Sequence, residues 1–176
     1  MNYFEFYNIP ISFYPDENLI RQRFYAYSKE YHPDFYANES AEKQAEILEL
    51  STLNNRAYQT LNNPEKRLKH ILELNGMLED GDKYTLSQGF LMEMMDINES
   101  LMDIEIDADE ERLSILTNSI AKLFEELEDE LLIQTKDFEQ LKPEQQITIL
   151  QKVKDIYYRK KYLLRIKDSL NKFAAR

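Results

Sequence analysis

Few residues in this chain are of the types that do chemistry, and their spacing narrows the options further. Among 176 residues there are two histidines, His32 and His70, and no cysteine. Without cysteine there are no disulfides, thiolate metal sites or thiol nucleophiles. A di-iron bundle needs Glu-x-x-His pairs on inward helix faces, and neither histidine has a glutamate three residues before it. No metal and no cofactor is therefore expected. No glycine-rich phosphate loop exists, which argues against P-loop and dinucleotide-binding turns. Nothing positively suggests a Ser-His-Asp site. The one enzymatic alternative is a carboxylate or histidine site in the C-terminal half.

The run DIEIDADEE, Asp103 to Glu111, is the densest acidic stretch. A calcium loop needs glycine at its sixth position and glutamate at its twelfth, and no register here supplies both. The run reads instead as a solvated helix start, where carboxylates favour the positive end of the helix dipole.

YHPDFY, Tyr31 to Tyr36, is of another kind. As a turn it needs little: proline fixes φ, and aspartate bonds nearby backbone. Its setting adds something. It ends one amphipathic helix and precedes a second that runs back, so His32 and Asp34 project into solvent. An exposed carboxylate beside a rigid proline is a good acceptor for a partner's arginine. His70, on a later helix, is expected at the surface or partly buried.

The elements that must position these residues are legible from punctuation and period. Three glycines and five prolines leave few breaks, so the chain is expected to be all-α. Asp16 is a candidate N-cap for the helix ENLIRQRFYAYSKEY, whose apolar face is Ile20, Phe24, Tyr27 and Tyr31. Pro33 ends that helix. A second long helix covers Ser40 to Leu61, with Ile47, Leu50, Leu53, Ala57 and Leu61 along one side. In NNPEKRLKHILELNG, Asn63 caps, Pro64 takes the first helical position and Gly76 closes. The polar connector MLEDGDKYTLSQG marks a boundary. Beyond it, helices are expected over Ser87–Glu105, Asp109–Thr135 and Pro143–Phe173. Short connections between them imply an antiparallel three-helix bundle. The expected division is a domain over 1–75, a linker over 76–83 and a second domain over 84–176.

Bulk properties exclude further classes. The net charge is −11. Residues 1–75 carry 8 basic and 11 acidic groups, and residues 76–176 carry 14 and 22, so most of the acidity lies in the second domain. A nucleic-acid partner is not expected, because phosphate binding needs a basic surface. No apolar run approaches the ~20 residues that span a bilayer, and the opening MNYFEFYNIP lacks the pattern of a secretory leader. A cytoplasmic protein without a membrane partner is expected.

The segment FYAYSKEYHPDFY followed by LNNRAYQTLNNPEKR resembles the J-domain of DnaJ-type proteins. The resemblance implies that His32, Pro33 and Asp34 dock on a heat-shock ATPase of the DnaK type and stimulate its ATP hydrolysis, with the basic face of the preceding helix, Arg21, Arg23 and Lys29, helping to dock. Tyr25 and Ala26 stand where many J-domains carry lysine or arginine, which points to a specialised chaperone.

MNYFEFYNIP, NNPEKRLKHILELNG and GFLMEMMDINESL extend the likeness along the chain, to the HscB family of J-proteins. That family delivers the iron–sulfur scaffold IscU to the chaperone HscA. Some relatives carry an N-terminal cysteine pair for zinc, which this chain lacks.

In GFLMEMMDINESLM, at 100° per residue, Phe90, Met94, Ile97 and Leu101 form one stripe suited to bundle packing. Leu91, Met95 and Met102 form a second, with Met92 and Glu99 beside it. From pattern alone the second stripe is either buried in the bundle or an exposed patch for a partner, where methionine's flexible thioether would suit. The family resemblance implies the patch, with Leu91, Met92, Met95, Asp96 and Glu99 contacting the scaffold and an aromatic on the last helix, Tyr158, joining them; Tyr157 is the competing position. A J-protein serving a different client is the alternative.

Overall fold

A computed structural model describes residues 2–78, 81, 83–107 and 109–174. By its contacts the chain divides into two compact units, Met1–Gly76 and Met77–Arg176. The expected linker over 76–83 falls partly on residues 79, 80 and 82, which lie outside the described residues.

Most described helices start on a capping side chain. In the first unit, α1 (Tyr3–Phe6) opens with a reciprocal box: the Glu5 amide donates to Asn2 Oδ1 at 2.9 Å, and the Asn2 amide donates to Glu5 Oε2 at 3.0 Å. Helix α2 (Glu17–Glu30) starts on Asp16, whose Oδ1 accepts from the Asn18 and Leu19 amides. Helix α3 (Ala41–Leu61) starts on Ser40, and α4 (Pro64–Leu74) on Asn63 with Pro64 in its first turn. Such caps each contribute about 1 kcal/mol by satisfying otherwise orphaned amides. Gly76 follows α4 at φ 66°, the left-handed conformation that closes a helix at little cost.

Helix α3 is the spine of this unit, packing against α1, α2 and α4. Its Ile47, Ala57 and Leu61 are buried together with Ile20 of α2, and with Leu68, Ile71 and Leu72 of α4. The four-residue α1 is a departure from the sequence reading, which placed no helix there. It is far too short to stand alone. Burial holds it: Phe4 and Tyr7 are fully buried and Phe6 nearly so. Each such aromatic removes a large apolar area from water.

A buried polar network fixes α2 on α3. The Tyr7 hydroxyl donates to the Asn54 side-chain oxygen at 2.9 Å. Asn54 Nδ2 donates to the Phe24 carbonyl at 3.1 Å and to Ser28 Oγ at 3.0 Å. Arg67 does similar work at the other end: its Nε donates to the Phe13 carbonyl at 3.0 Å, and its Nη1 donates to the Leu61 carbonyl. It thereby pins the loop before α2 to the end of α3.

In the second unit, α5 (Gln88–Ile106), α6 (Glu110–Thr135) and α7 (Pro143–Ala174) pack pairwise on one another as a three-helix bundle. Met94, Ile97, Leu101 and Ile104 of α5 face Leu116, Ile120, Leu127 and Leu131 of α6, and Leu150, Val153, Ile156, Leu163, Ile166 and Leu170 of α7, in one buried core. Lys160 lies within that α7 seam and is only 2% exposed; its ammonium donates to the Glu128 carboxylate. The acidic run from Asp103 ends α5 and opens α6, where Asp109 Oδ1 accepts from the Glu111 and Arg112 amides. No described helix is long and apolar enough to cross a membrane.

Candidate functional site: an exposed turn and an unpartnered helix face

The His-Pro-Asp segment leaves α2 as a 3₁₀ turn, Pro33–Tyr36. His32 is its cap: Nδ1 accepts from the Asp34 amide at 3.3 Å. Pro33 occupies the first position of the turn, where its missing N–H is no loss. The Phe35 amide donates to the His32 carbonyl at 3.1 Å, and the Tyr36 hydroxyl donates back to the Glu30 carbonyl at 2.9 Å, tying the turn to the end of α2. Phe35 stacks obliquely on His32 at 5.4 Å.

The turn is therefore built from its own residues and then displayed. The Asp34 side chain is 86% exposed and that of His32 51%. Asp34 Oδ2 lies 3.8 Å from His32 Nδ1, beyond hydrogen-bond range, so the carboxylate's lone pairs remain open to a partner.

The basic residues before the turn divide. Arg21 and Lys29 are exposed on α2, with Tyr25 between them and also exposed. Arg21 Nη2 donates to Asn18 Oδ1 at 3.1 Å. Arg23 lies around the helix from them, half-buried, with its Nε sealed from solvent and without a hydrogen-bond partner.

On α5 the two stripes read from the sequence separate cleanly. Met94, Ile97 and Leu101 are buried, while Leu91 is 37%, Met92 60% and Met95 68% exposed. Asp96 and Glu99 are exposed beside them. The apolar row does not stop there: Met102 is 63% and Ile106 85% exposed. Spacings of four, seven and four carry the row from Leu91 through Met95 and Met102 to Ile106 along the helix face opposite the core. The Met102 position was visible in the period; Ile106 was missed because it lies in the acidic run. Large side chains left in water along one helix are unusual for a surface with no partner.

On α7, Tyr158 and not Tyr157 lines the same groove as Leu91. Its ring stacks flat on Tyr84, with centroids 4.5 Å and planes 3° apart. Tyr84 is anchored in turn by donating its hydroxyl to Asp155 Oδ1 at 2.7 Å. Burial, reinforced by that carboxylate, pushes the Tyr84 hydroxyl up to about 12, so it stays protonated and donating. Arg159 completes the support by bonding Asp155 and Glu130, each at 2.7 Å.

Known proteins resemble this chain. The family model described as the HSCB C-terminal oligomerisation domain matches residues 86–171. The co-chaperone protein HscB homologue of Vibrio cholerae is 37% identical over 112 residues, 63% of this chain and 66% of that protein, so the matched segment spans just under two-thirds of the relative. Among solved structures, chaperone HscB from Vibrio cholerae is 30% identical with a TM-score of 0.64, covering 97% of this chain and 99% of the other. The crystal structure of human co-chaperone protein HscB is 26% identical with a TM-score of 0.77, covering 97% and 81%. With the J-domain turn on one unit and the helical bundle on the other, the chain belongs to the HscB family of co-chaperones.

Proposed function

We propose that the protein brings two partners together and does no chemistry itself. The His32-Pro33-Asp34 turn engages a DnaK- or HscA-type chaperone and stimulates its ATP hydrolysis. Asp34 accepts from an arginine of that chaperone, while His32 and Pro33 hold the turn's shape. Arg21 and Lys29 add attraction from α2, while Arg23, half-buried on another side of the helix, contributes less. The α5 face of Leu91, Met92, Met95, Asp96 and Glu99, with Tyr158 of α7, holds an IscU-type iron–sulfur scaffold and presents it to the chaperone. Tethering two weak contacts in one chain raises the effective concentration of each for the other.

The observation that carries this reading is the row of apolar side chains that α5 turns to water, in a chain that also displays the His-Pro-Asp turn. A buried core needs neither. The test is direct: steady-state ATP hydrolysis by a DnaK/HscA-type chaperone is followed as the protein is added. Saturable stimulation is expected, and a flat response would refute the proposed role.

A further inference from the structure

At one end of the α5 face the structure forms a groove of about 520 Å³. Its walls include three cations, Lys83, Lys161 and Arg165, two tyrosines, Tyr84 and Tyr158, and Leu91. Three cations around one groove stand out on a chain of net charge −11. The three side chains belong to exposed residues, and among the described residues none has a carboxylate partner. Elsewhere in this unit Arg112, Lys122, Arg159 and Lys160 each pair with a carboxylate, as Arg159 does with Asp155 and Glu130. Lys161 instead sits 5.9 Å over the Tyr158 ring, a contact that holds the ammonium in place without neutralising it.

The groove is rigid where it matters. The Tyr84–Tyr158 stack forms one wall, and its outer end is fixed by the Tyr84–Asp155 hydrogen bond. Leu91 lines both this groove and the apolar face. A partner lying on Leu91, Met92 and Met95 therefore meets cations on one side and the carboxylates of Asp96 and Glu99 on the other.

We infer that this groove is a carboxylate-binding pocket that takes an acidic segment of the scaffold protein held on the adjoining α5 face. The inference rests on the reading of that face as the scaffold site. Unpaired cations beside tyrosine rings suit Asp or Glu side chains on an extended segment. The carboxylates take charge-assisted hydrogen bonds, and the intervening stems lie against the rings. The opposed signs on the two sides of the apolar centre fix the direction in which the scaffold lies, and wrong orientations meet like charge.

The test is fluorescence anisotropy of a labelled IscU-type scaffold at low and high salt. It compares the unaltered full chain, Lys161→Glu with Arg165→Glu, and Leu91→Ala with Met92→Ala and Met95→Ala. The charge reversal is expected to weaken binding about tenfold or more at low salt and to flatten its salt dependence. The apolar triple change is expected to weaken binding while leaving the salt dependence intact. An oligoglutamate peptide should compete, and inorganic phosphate at matched ionic strength should not. Scaffold binding that ignores the charge reversal but fails with the triple change overturns the pocket and leaves the scaffold site standing. Competition by phosphate alone also overturns it. If the unaltered chain does not bind the scaffold, the site and the pocket fall together. Should the reversal disturb folding by circular dichroism, the neutral pair Lys161→Gln and Arg165→Gln carries the comparison, with a smaller loss expected and no loss contradicting the pocket.

Discussion

His32 Nδ1 accepts the backbone amide of Asp34 at 3.3 Å, so the histidine of the exposed turn spends one nitrogen on shaping the loop that carries the aspartate. The two side chains thereby take different parts. His32 is half inside the turn, and Asp34, 86% exposed, is left for a partner.

His32→Gln is expected to lose the loop's shape and with it chaperone stimulation, at least tenfold, while global stability changes by no more than about 0.5 kcal/mol, as for other surface positions. Chaperone ATPase and a thermal melt measured together check this. A large loss of melting temperature would mean that the residue is structural.

Asp34→Asn keeps the size of the side chain and removes its charge. Pairing with a partner arginine then loses its charge-assisted part, on the order of 1–2 kcal/mol or about tenfold in affinity. Chaperone binding by the variant should also respond less to salt than that of the parent protein, which surface plasmon resonance at two ionic strengths would read.

Leu91→Ala, Met92→Ala and Met95→Ala together should weaken scaffold binding while leaving the bundle's unfolding within about 1 kcal/mol, since these side chains already face water. Met94→Ala is the control. That side chain is fully buried, and its truncation should cost about 2–5 kcal/mol through lost burial and a cavity. Urea unfolding separates the two. Comparable losses would mean that the exposed row contributes to the core.

Asn54 is 1% exposed and ties Tyr7, Phe24 and Ser28 together. Asn54→Ala removes the side-chain links to Tyr7, Phe24 and Ser28 while the Tyr7 hydroxyl keeps the residue-54 carbonyl at 3.1 Å, so a loss of about 1–2 kcal/mol is expected in the first unit. Because this network holds α2 on α3, chaperone stimulation should weaken as well, while scaffold binding does not change.

His70 supplies a pH signature. Its Nε2 is buried without a hydrogen-bond partner, and its ring packs on Tyr3 at 4.6 Å and Phe4 at 6.0 Å. Burial holds its pKa below the usual histidine value, only partly opposed by Glu73. The folded state thus binds the proton less well than the unfolded chain. At pH above about 6.5 neither state is charged and nothing is lost. As pH falls below that value the unfolded chain takes up the proton first, and stability declines until the folded pKa is passed. The drop in melting temperature of the first unit between about pH 7.5 and 5.5 should therefore be smaller for His70→Phe.

The parts of the fold that were legible in the sequence are those with local causes. Asp16 and Asn63, read as caps, and Ser40 and Ser87, read only as helix starts, all cap helices because a short polar side chain can reach the first free amides. The hairpin around His32 to Asp34 and the three-helix bundle follow from such signals and from period. Helix α1 was not legible, because four residues fold only against buried neighbours supplied by α3 and α4. On α5 the period announced two stripes but could not say which one the other helices cover. That depends on how α6 and α7 pack, which the α5 segment does not encode by itself. The groove of Lys83, Lys161 and Arg165 was invisible for a similar reason. Its walls come from segments more than 60 residues apart, and no local pattern joins them.

The central claim is that one chain couples a chaperone to a scaffold, and steady-state ATP hydrolysis by a DnaK/HscA-type chaperone tests it most directly. The chaperone is measured alone, with the protein, with an IscU-type scaffold, and with both. The account predicts that the rate with both exceeds what the separate stimulations would give, and that either His32→Gln or the Leu91, Met92 and Met95 alanine triple removes the excess. A rate with both partners that matches the separate effects, unchanged by either variant, would contradict it.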